Sequence, residues 1–427
     1  MNMSSLSNHS TQVGRSFVAA LFVAGLELSL LAFPIGSLRA GEERNEFNWK
    51  NLQSDIAGVA DRTDSNLVNS WGLVINPTAK IFWVADNGTG VSTLYRPDGA
   101  PVLFPGSPTE NFVVTLPLTD GDKASMPPAT AAAPTGIVFN PFSSLPNSDA
   151  FLIPGTTSPA VFIFDGEDGG IWAWNPGLSL AEAVLVVDNS TSPSLADSSV
   201  YKGLALANRS SGGPTLYAAN FRHGTVDVFD KNFKPVIDPT AFQDPSLPAG
   251  FAPFDIASIN GKIYVTYAKQ DDAKHDDVRG TGNGFVDVFD NTGHNLIRLI
   301  SRGPLNSPWG LARVPHEFGR FGHDVLLVGN FGDGRINAFN IHTGAFLEPL
   351  LHRPGQPLEF NGLWALFFFH NHLYFTAGIA DEAHGLLGVI RAQGEQEEEG
   401  VNGGQSGQGG QDDDGDQGGQ EGQGDQG

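Results

Sequence analysis

Short apolar runs, many alternating with polar residues and bounded by Gly, Pro, Asn or Asp, fill the chain from about residue 47 to about residue 391. That alternation has the period of a half-buried β-strand, and the bounding residues are turn formers. The segment Thr225-Val226-Asp227-Val228-Phe229-Asp230 returns almost literally as Phe285-Val286-Asp287-Val288-Phe289-Asp290, and again in outline as Arg335-Ile336-Asn337-Ala338-Phe339-Asn340. Before each of these a fully apolar run ends at a turn, as in Leu216-Tyr217-Ala218-Ala219-Asn220. Strands are expected throughout, and long helices are not.

The pattern has a longer period. Six starts recur: Ser70-Trp71-Gly72-Leu73, Pro134-Thr135-Gly136-Ile137, Tyr201-Lys202-Gly203-Leu204, Pro253-Phe254-Asp255-Ile256, Pro308-Trp309-Gly310-Leu311 and Gly362-Leu363-Trp364-Ala365. They lie about 50 to 67 residues apart, a spacing at which self-similarity implies blades or solenoid units. Parsing the first unit gives four strands, at 72–76, 81–86, 92–95 and 112–116. The chain therefore predicts an all-β, six-bladed β-propeller of four-stranded antiparallel blades. The sixth unit stops after its third strand, and Phe47-Asn48-Trp49-Lys50-Asn51-Leu52 is a strand without a partner near the N-terminus. The expectation is that this strand completes the last blade and closes the ring, which removes two exposed sheet edges.

The ends differ from this middle. Residues 1–40 carry Arg15, an apolar run from Phe17 and the ending Leu38-Arg39-Ala40. That order of charge, apolar core and small residue predicts an export signal cleaved after Ala40, with a retained N-terminal anchor as the alternative. Residues 41–393 form the propeller. Residues 394–427 are Gly, Gln, Glu and Asp with almost nothing apolar, so a disordered acidic tail is expected there.

The net charge is −23, and ten acidic residues lie in the last 33 positions. Such a balance speaks against nucleic acid and anionic membranes as partners, since both need clustered Lys and Arg. There is no cysteine, which excludes disulfides and thiolate metal sites. An exported, periplasmic or extracellular monomer held together by packing alone is the expectation.

Trp-Gly-Leu at Trp71-Gly72-Leu73, Trp83-Val84-Ala85-Asp86-Asn87-Gly88, Tyr264-Val265-Thr266-Tyr267-Ala268-Lys269-Gln270, Gly329-Asn330-Phe331-Gly332-Asp333-Gly334 and Asp381-Glu382-Ala383-His384-Gly385 together carry a likeness. The repeat resembles NHL-type propeller repeats, and over residues 47–391 the chain is similar to a family of uncharacterised exported bacterial propeller proteins. The resemblance implies the fold and no catalytic residues.

Function should reside where the repeats differ. Asp86, Asn220 and Asn330 end the second strands of blades one, three and five. Oxygen ligands gathered from several blades are what calcium takes, while strand-ending Asp and Asn also serve nearby backbone amides. The loop Lys269-Gln270-Asp271-Asp272-Ala273-Lys274-His275-Asp276-Asp277 is the most unusual. With Arg222, His223, Asp333, Asp381, Glu382 and His384 it is expected on the face where the ligand binds. His275 and His384 are the candidate general bases, since imidazole titrates near neutrality, and a ring of His223, His275 and His384 is an open arrangement. Trp71, Phe254, Trp309 and Trp364 are expected to pack between blades. No Gly-x-Ser-x-Gly, His-Glu-x-x-His or P-loop signature occurs. Two readings follow. One is a binding or scaffold propeller for a protein, peptide or glycan, with no cofactor required. The other is a calcium-dependent hydrolase of lactonase or phosphoesterase type; whether the chain is an enzyme stays open at this point.

Overall fold

The computed structural model describes residues 45–209 and 212–393. The export-signal and acidic-tail expectations lie outside the described residues. Six blade sheets follow one another along the chain, each beginning at one of the six starts and antiparallel throughout except for the short parallel pair that Arg62–Thr63 makes at the outer edge of blade 6. Blade 1 is Ser70–Asn76, Ile81–Asp86, Val91–Tyr95 and Val113–Thr115. Blade 2 is Pro134–Phe139, Phe162–Gly166, Gly170–Trp174 and Val184–Asp188. Blade 4 is Phe251–Ile259, Lys262–Lys269, Phe285–Asp290 and Ile297–Ser301, and blade 5 is Pro308–Arg313, Val325–Asn330, Ile336–Asn340 and Phe346–Pro349.

Blade 6 contains Leu363–Phe369, His372–Ile379 and His384–Ala392 from the C-terminal part, and its fourth strand is Phe47–Ser54. The pairing is antiparallel, from Phe47 opposite Ala392 to Ser54 opposite Leu386. The ring thus closes through its own ends, as the unpaired segment predicts. Blade 3 departs from expectation, with only Tyr201–Arg209, Gly213–Asn220 and Thr225–Phe229 among the described residues. After an isolated bridge from Phe229 to Pro235 the chain turns away instead of running back as a fourth strand.

The second strand of each blade is sandwiched between two neighbouring blades, so both its faces are buried and its sequence is continuously apolar rather than alternating. Val325–Asn330 is buried at every position, and Ile81–Asp86 at all but the first. The inner strands crowd the axis. A Cβ added at Gly310 would come 2.4 Å from the Trp364 carbonyl oxygen, so glycine there is set by the approach of two backbones.

One position per blade opens the register shift of the first strand, at the axial end of the blade: Trp71, Thr135, Lys202, Phe254, Trp309 and Trp364. Four are aromatic, and they meet across the ring rather than only between adjacent blades. Trp364 stacks on Trp71 at 3.5 Å between ring centroids and on Phe331 at 3.9 Å. Trp309 stands edge-on to both tryptophans. Past this plug the inner strands of all six blades line a channel of about 500 Å³.

Where blade 2 offers Thr135, a carboxyl reaches in from its second strand. Asp165 Oδ1 accepts from Gly136 N at 2.7 Å and from Thr135 Oγ1 at 3.0 Å, while Oδ2 has no partner. Burial pushes this carboxyl from 3.8 up to about 7. Between those values the folded chain holds the proton and the unfolded chain releases it. The associated stability is full below about pH 4 and is lost as pH rises to about 7. Asp165→Asn, neutral at every pH, should therefore unfold with a shallower loss between pH 5 and pH 8, by a few kcal/mol relative to the parent. Urea titrations at the two pH values measure this; parallel losses in both proteins would contradict it.

Candidate binding site at the channel mouth

Above the aromatic plug lies a run of polar side chains that passes almost completely around the axis. It begins at Lys202, the one cation among the six axial positions, which is 2% exposed. Its ammonium bonds Glu167 of blade 2 and stands 3.4 Å from Asp276 Oδ1 of blade 4. It also lies 5.2 Å from the centroid of the Trp71 ring, a distance at which a desolvated cation–π contact is favourable. Burial opposes the charge on Lys202, but the carboxylates of Glu167 and Asp276 outweigh it and hold the ammonium above its ordinary value.

From Glu167 the run continues to blade 1, where Asn87 Nδ2 donates to Glu167 Oε2 at 2.8 Å. Asn69 Nδ2 then donates to Asn87 Oδ1 at 3.2 Å and to Glu382 Oε2 of blade 6 at 3.1 Å. Glu382 Oε1 faces Arg279 at 3.8 Å, and the Arg279 guanidinium lies 4.4 Å over the Phe331 ring of blade 5. Asn69 is tied to the plug as well, since its Oδ1 accepts from Trp364 Nε1 at 3.2 Å. The 270–284 loop of blade 4 supplies both ends of the run, Asp276 and Arg279. It is fastened to its neighbours by Gln270 Nε2 on the Phe221 carbonyl, 2.6 Å, and by Gly280 N on Asn306 Oδ1, 2.6 Å.

Among the described residues the mouth sets four carboxylates (Glu167, Asp276, Asp277 and Glu382) against two cations, Lys202 and Arg279. Burial raises the carboxyls of Asp277 and Glu382, so both are short of positive charge. The hydrogen bond from His275 and the nearby Lys202 hold Asp276 well below the usual carboxylate range. Glu382 is presented on strained backbone: Ala380, Asp381 and Glu382 have φ of +56°, +53° and +65°. Non-glycine residues in that region cost free energy and concentrate at functional sites.

The expected site residues fall into groups. His275, Asp276, Asp277 and Glu382 are at the mouth, and Asp271 Oδ1 positions the first two by accepting from His275 N at 2.9 Å and from Asp276 N at 3.3 Å. Lys269, Asp272 and Asp381 are exposed beside them. Asp86, Asn220 and Asn330 are fully buried, each bonded within its own blade or to the connection that leads into it. Asp86 accepts from Ser70 Oγ, Thr93 N and Thr93 Oγ1; Asn220 bonds Ser199 and Asp227; Asn330 bonds the Pro304 carbonyl and Asp333. Arg222 donates to Ser198, and His223 lies between Asn220 and Asp197. His384 Nδ1 meets Asp55 Oδ2 at 2.6 Å, beside the closing strand. The three histidines thus have three different partners.

Sequence reasoning passed over Lys202, Glu167, Asn87, Asn69 and Arg279. Two signals were available. Lys202 stands where four other blades have an aromatic, and Asn87 and Glu167 stand one residue beyond the strand ends. Side chains alternate along a strand, so the last strand residue points into the blade and the next points to the channel.

Glu167, His275 and Asp276 could each offer one ligand atom to a metal ion, with those atoms all within 4.8 Å of one another. The Lys202 ammonium already bonds two of the three, so a metal would have to displace a buried cation. Among the described residues no helix is long and apolar enough to cross a membrane.

No protein-family model matches the chain. It is 30% identical over 387 residues to the uncharacterized protein R648 of Acanthamoeba polyphaga mimivirus, covering 88% of this chain and 87% of that protein. It is 31% identical over 357 residues to the uncharacterized protein L690 of the same virus, covering 82% and 87%. Among solved structures, a protein of unknown function from Bacteroides thetaiotaomicron matches 82% of this chain and 76% of its own at 10% identity, with a TM-score of 0.47. A streptogramin B lyase matches 81% and 98% at 10% identity, with a TM-score of 0.44.

Proposed function

We propose that this chain, which belongs to the same family as the mimivirus proteins R648 and L690, is a binding propeller whose channel mouth receives a cationic group of its ligand, such as a Lys or Arg side chain of a peptide. The observation that carries this is the excess of carboxylates in the mouth, two of them pushed up by burial. A cation arriving beside these carboxyls would favour their charged forms, and its attraction would be strong because the site is partly shielded from water. The histidine of the mouth is engaged with Asp276. Export and a monomeric state belong to the same proposal, as does the NHL-like character of the repeats.

Calorimetric titration of the full chain with a tetra-arginine peptide tests it. Binding should weaken as salt rises, and Glu382→Gln or Asp277→Asn should each reduce affinity about tenfold or more, as expected when one partner of a shielded charge pair is lost. Equal affinity for both variants and the parent would discard the proposal.

The calcium-dependent hydrolase remains the second reading, on the cluster of Glu167, His275 and Asp276. It predicts calcium binding that Lys202→Met strengthens. Absence of binding heat at millimolar calcium in both proteins would remove it.

A further inference from the structure

Among the described residues blade 3 is short of a strand, and the edge it leaves is shaped to take one. Its third strand, Thr225–Phe229, pairs on one side with Gly213–Asn220. On the other side only its last part is covered, where Val236 N donates to the Val228 carbonyl at 2.8 Å. In blade 1 the positions equivalent to Thr225, Val226 and Asp227 are Val91, Ser92 and Thr93, and these pair with the fourth strand at Thr115, Val114 and Val113. Because the Val228 carbonyl faces outward, the period of a strand turns the N–H and C=O of Val226 to the same side.

Beside this edge runs a groove of about 430 Å³, lined among others by Val187 and Asn189 of blade 2 and by Val226, Phe229, Val236 and Ile237. Ile237 is 84% exposed, an unusual place for a large apolar side chain beside an unpaired strand edge. The charge expected of the occupant can be read from the next blade. The equivalent of Asp227 in blade 4 is Asp287, and directly opposite it on the fourth strand stands Arg298, whose Nε donates to Asp287 Oδ1. Among the described residues Asp227 has no such residue across from it, and Asp238 adds a second carboxylate to the groove.

We infer that this groove binds an extended peptide segment of a partner protein, which adds antiparallel to Thr225–Asp227 as the fourth strand of blade 3. The segment places a basic residue opposite Asp227 and apolar residues against Val226 and Ile237. Main-chain bonds supply affinity in this mode, and the alternate side chains supply specificity.

The probe is a fluorescein-labelled peptide Thr-Val-Arg-Val-Thr, titrated into the full chain and followed by anisotropy, with hydrogen exchange read at the same saturation. The Arg peptide should bind about tenfold or more tightly than its Glu counterpart, and the Val226 amide should exchange more slowly when it is bound. Asp227→Lys should reverse the preference between the two peptides. Should that variant fail to fold, Asp227→Asn should remove the preference instead. Equal binding of the two peptides by the parent, or protection confined to the channel mouth, would overturn the inference. So would a concentration-dependent dimer that protects Thr225–Asp227, since it would assign the groove to a second copy. Failure here leaves the mouth proposal untouched, because none of these substitutions lies in it.

Discussion

Deleting residues 45–53 should lower the unfolding temperature by about 10 °C. The closing strand buries Phe47 and Leu52 almost completely, each contributing roughly 1.5–3 kcal/mol. The Phe47 ring also packs on Phe318 at 4.6 Å and on Phe321 at 6.1 Å, side chains of the preceding blade. Loss of these contacts and of the ladder to His384–Ala392 should total on the order of 5–10 kcal/mol, and each kcal/mol is about 2 °C or less for a domain this large. The deletion would also bare the edge of His384–Ala392, inviting association between molecules. Scanning calorimetry with sedimentation would check both. A transition at the parent's temperature would mean that the ring does not depend on this closure. Phe47→Ala is the milder version and should cost about 3–5 kcal/mol.

Lys202→Met should destabilise the protein by about 3–5 kcal/mol at neutral pH, the loss expected when one partner of a buried ion pair is removed. Methionine fits the volume, so the loss would come from charge. Glu167, 13% exposed, would keep its bond from Asn87 but lose its only cation among the described residues. The double variant Lys202→Met with Glu167→Gln should recover much of that loss, because a neutral amide needs no counter-charge. Urea unfolding of the four proteins completes the cycle. If the single variant costs less than about 1 kcal/mol, the ammonium behaves as a solvated surface charge, and the polar run around the axis has no structural anchor there.

Much of this was legible before the fold was. Six recurrences of a turn, a small residue and an apolar strand identified the blades, and the unpartnered segment around Phe47 identified the closure. Both rest on local patterns, which sequence carries directly. The site was half legible. The charged loop around His275 and the acidic pair near His384 stood out by composition, and Glu382, Asp276 and Asp277 do meet at the mouth. The strand-end residues Asp86, Asn220 and Asn330 were conspicuous for a different reason: buried polar side chains at strand ends must find partners, and they find them within their blades or in the connections leading into them. Their neighbours one step on, Asn87 and Glu167, face the axis instead. A shift of one residue exchanges the two faces of a strand, so alignment by residue type alone did not reach the residues that face the axis.

The sequence by itself determined the blade number, the start of each blade and the closure strand, because each is a local signal. Tertiary structure decided which residues of different blades touch. Lys202 and Glu167 are 35 residues apart, and Asn69 and Glu382 are 313 apart. Only the bending of six sheets into one ring brings them together. It was likewise the assembled ring that left blade 3 with an open edge, since an absent fourth strand is visible only when the others are seen paired.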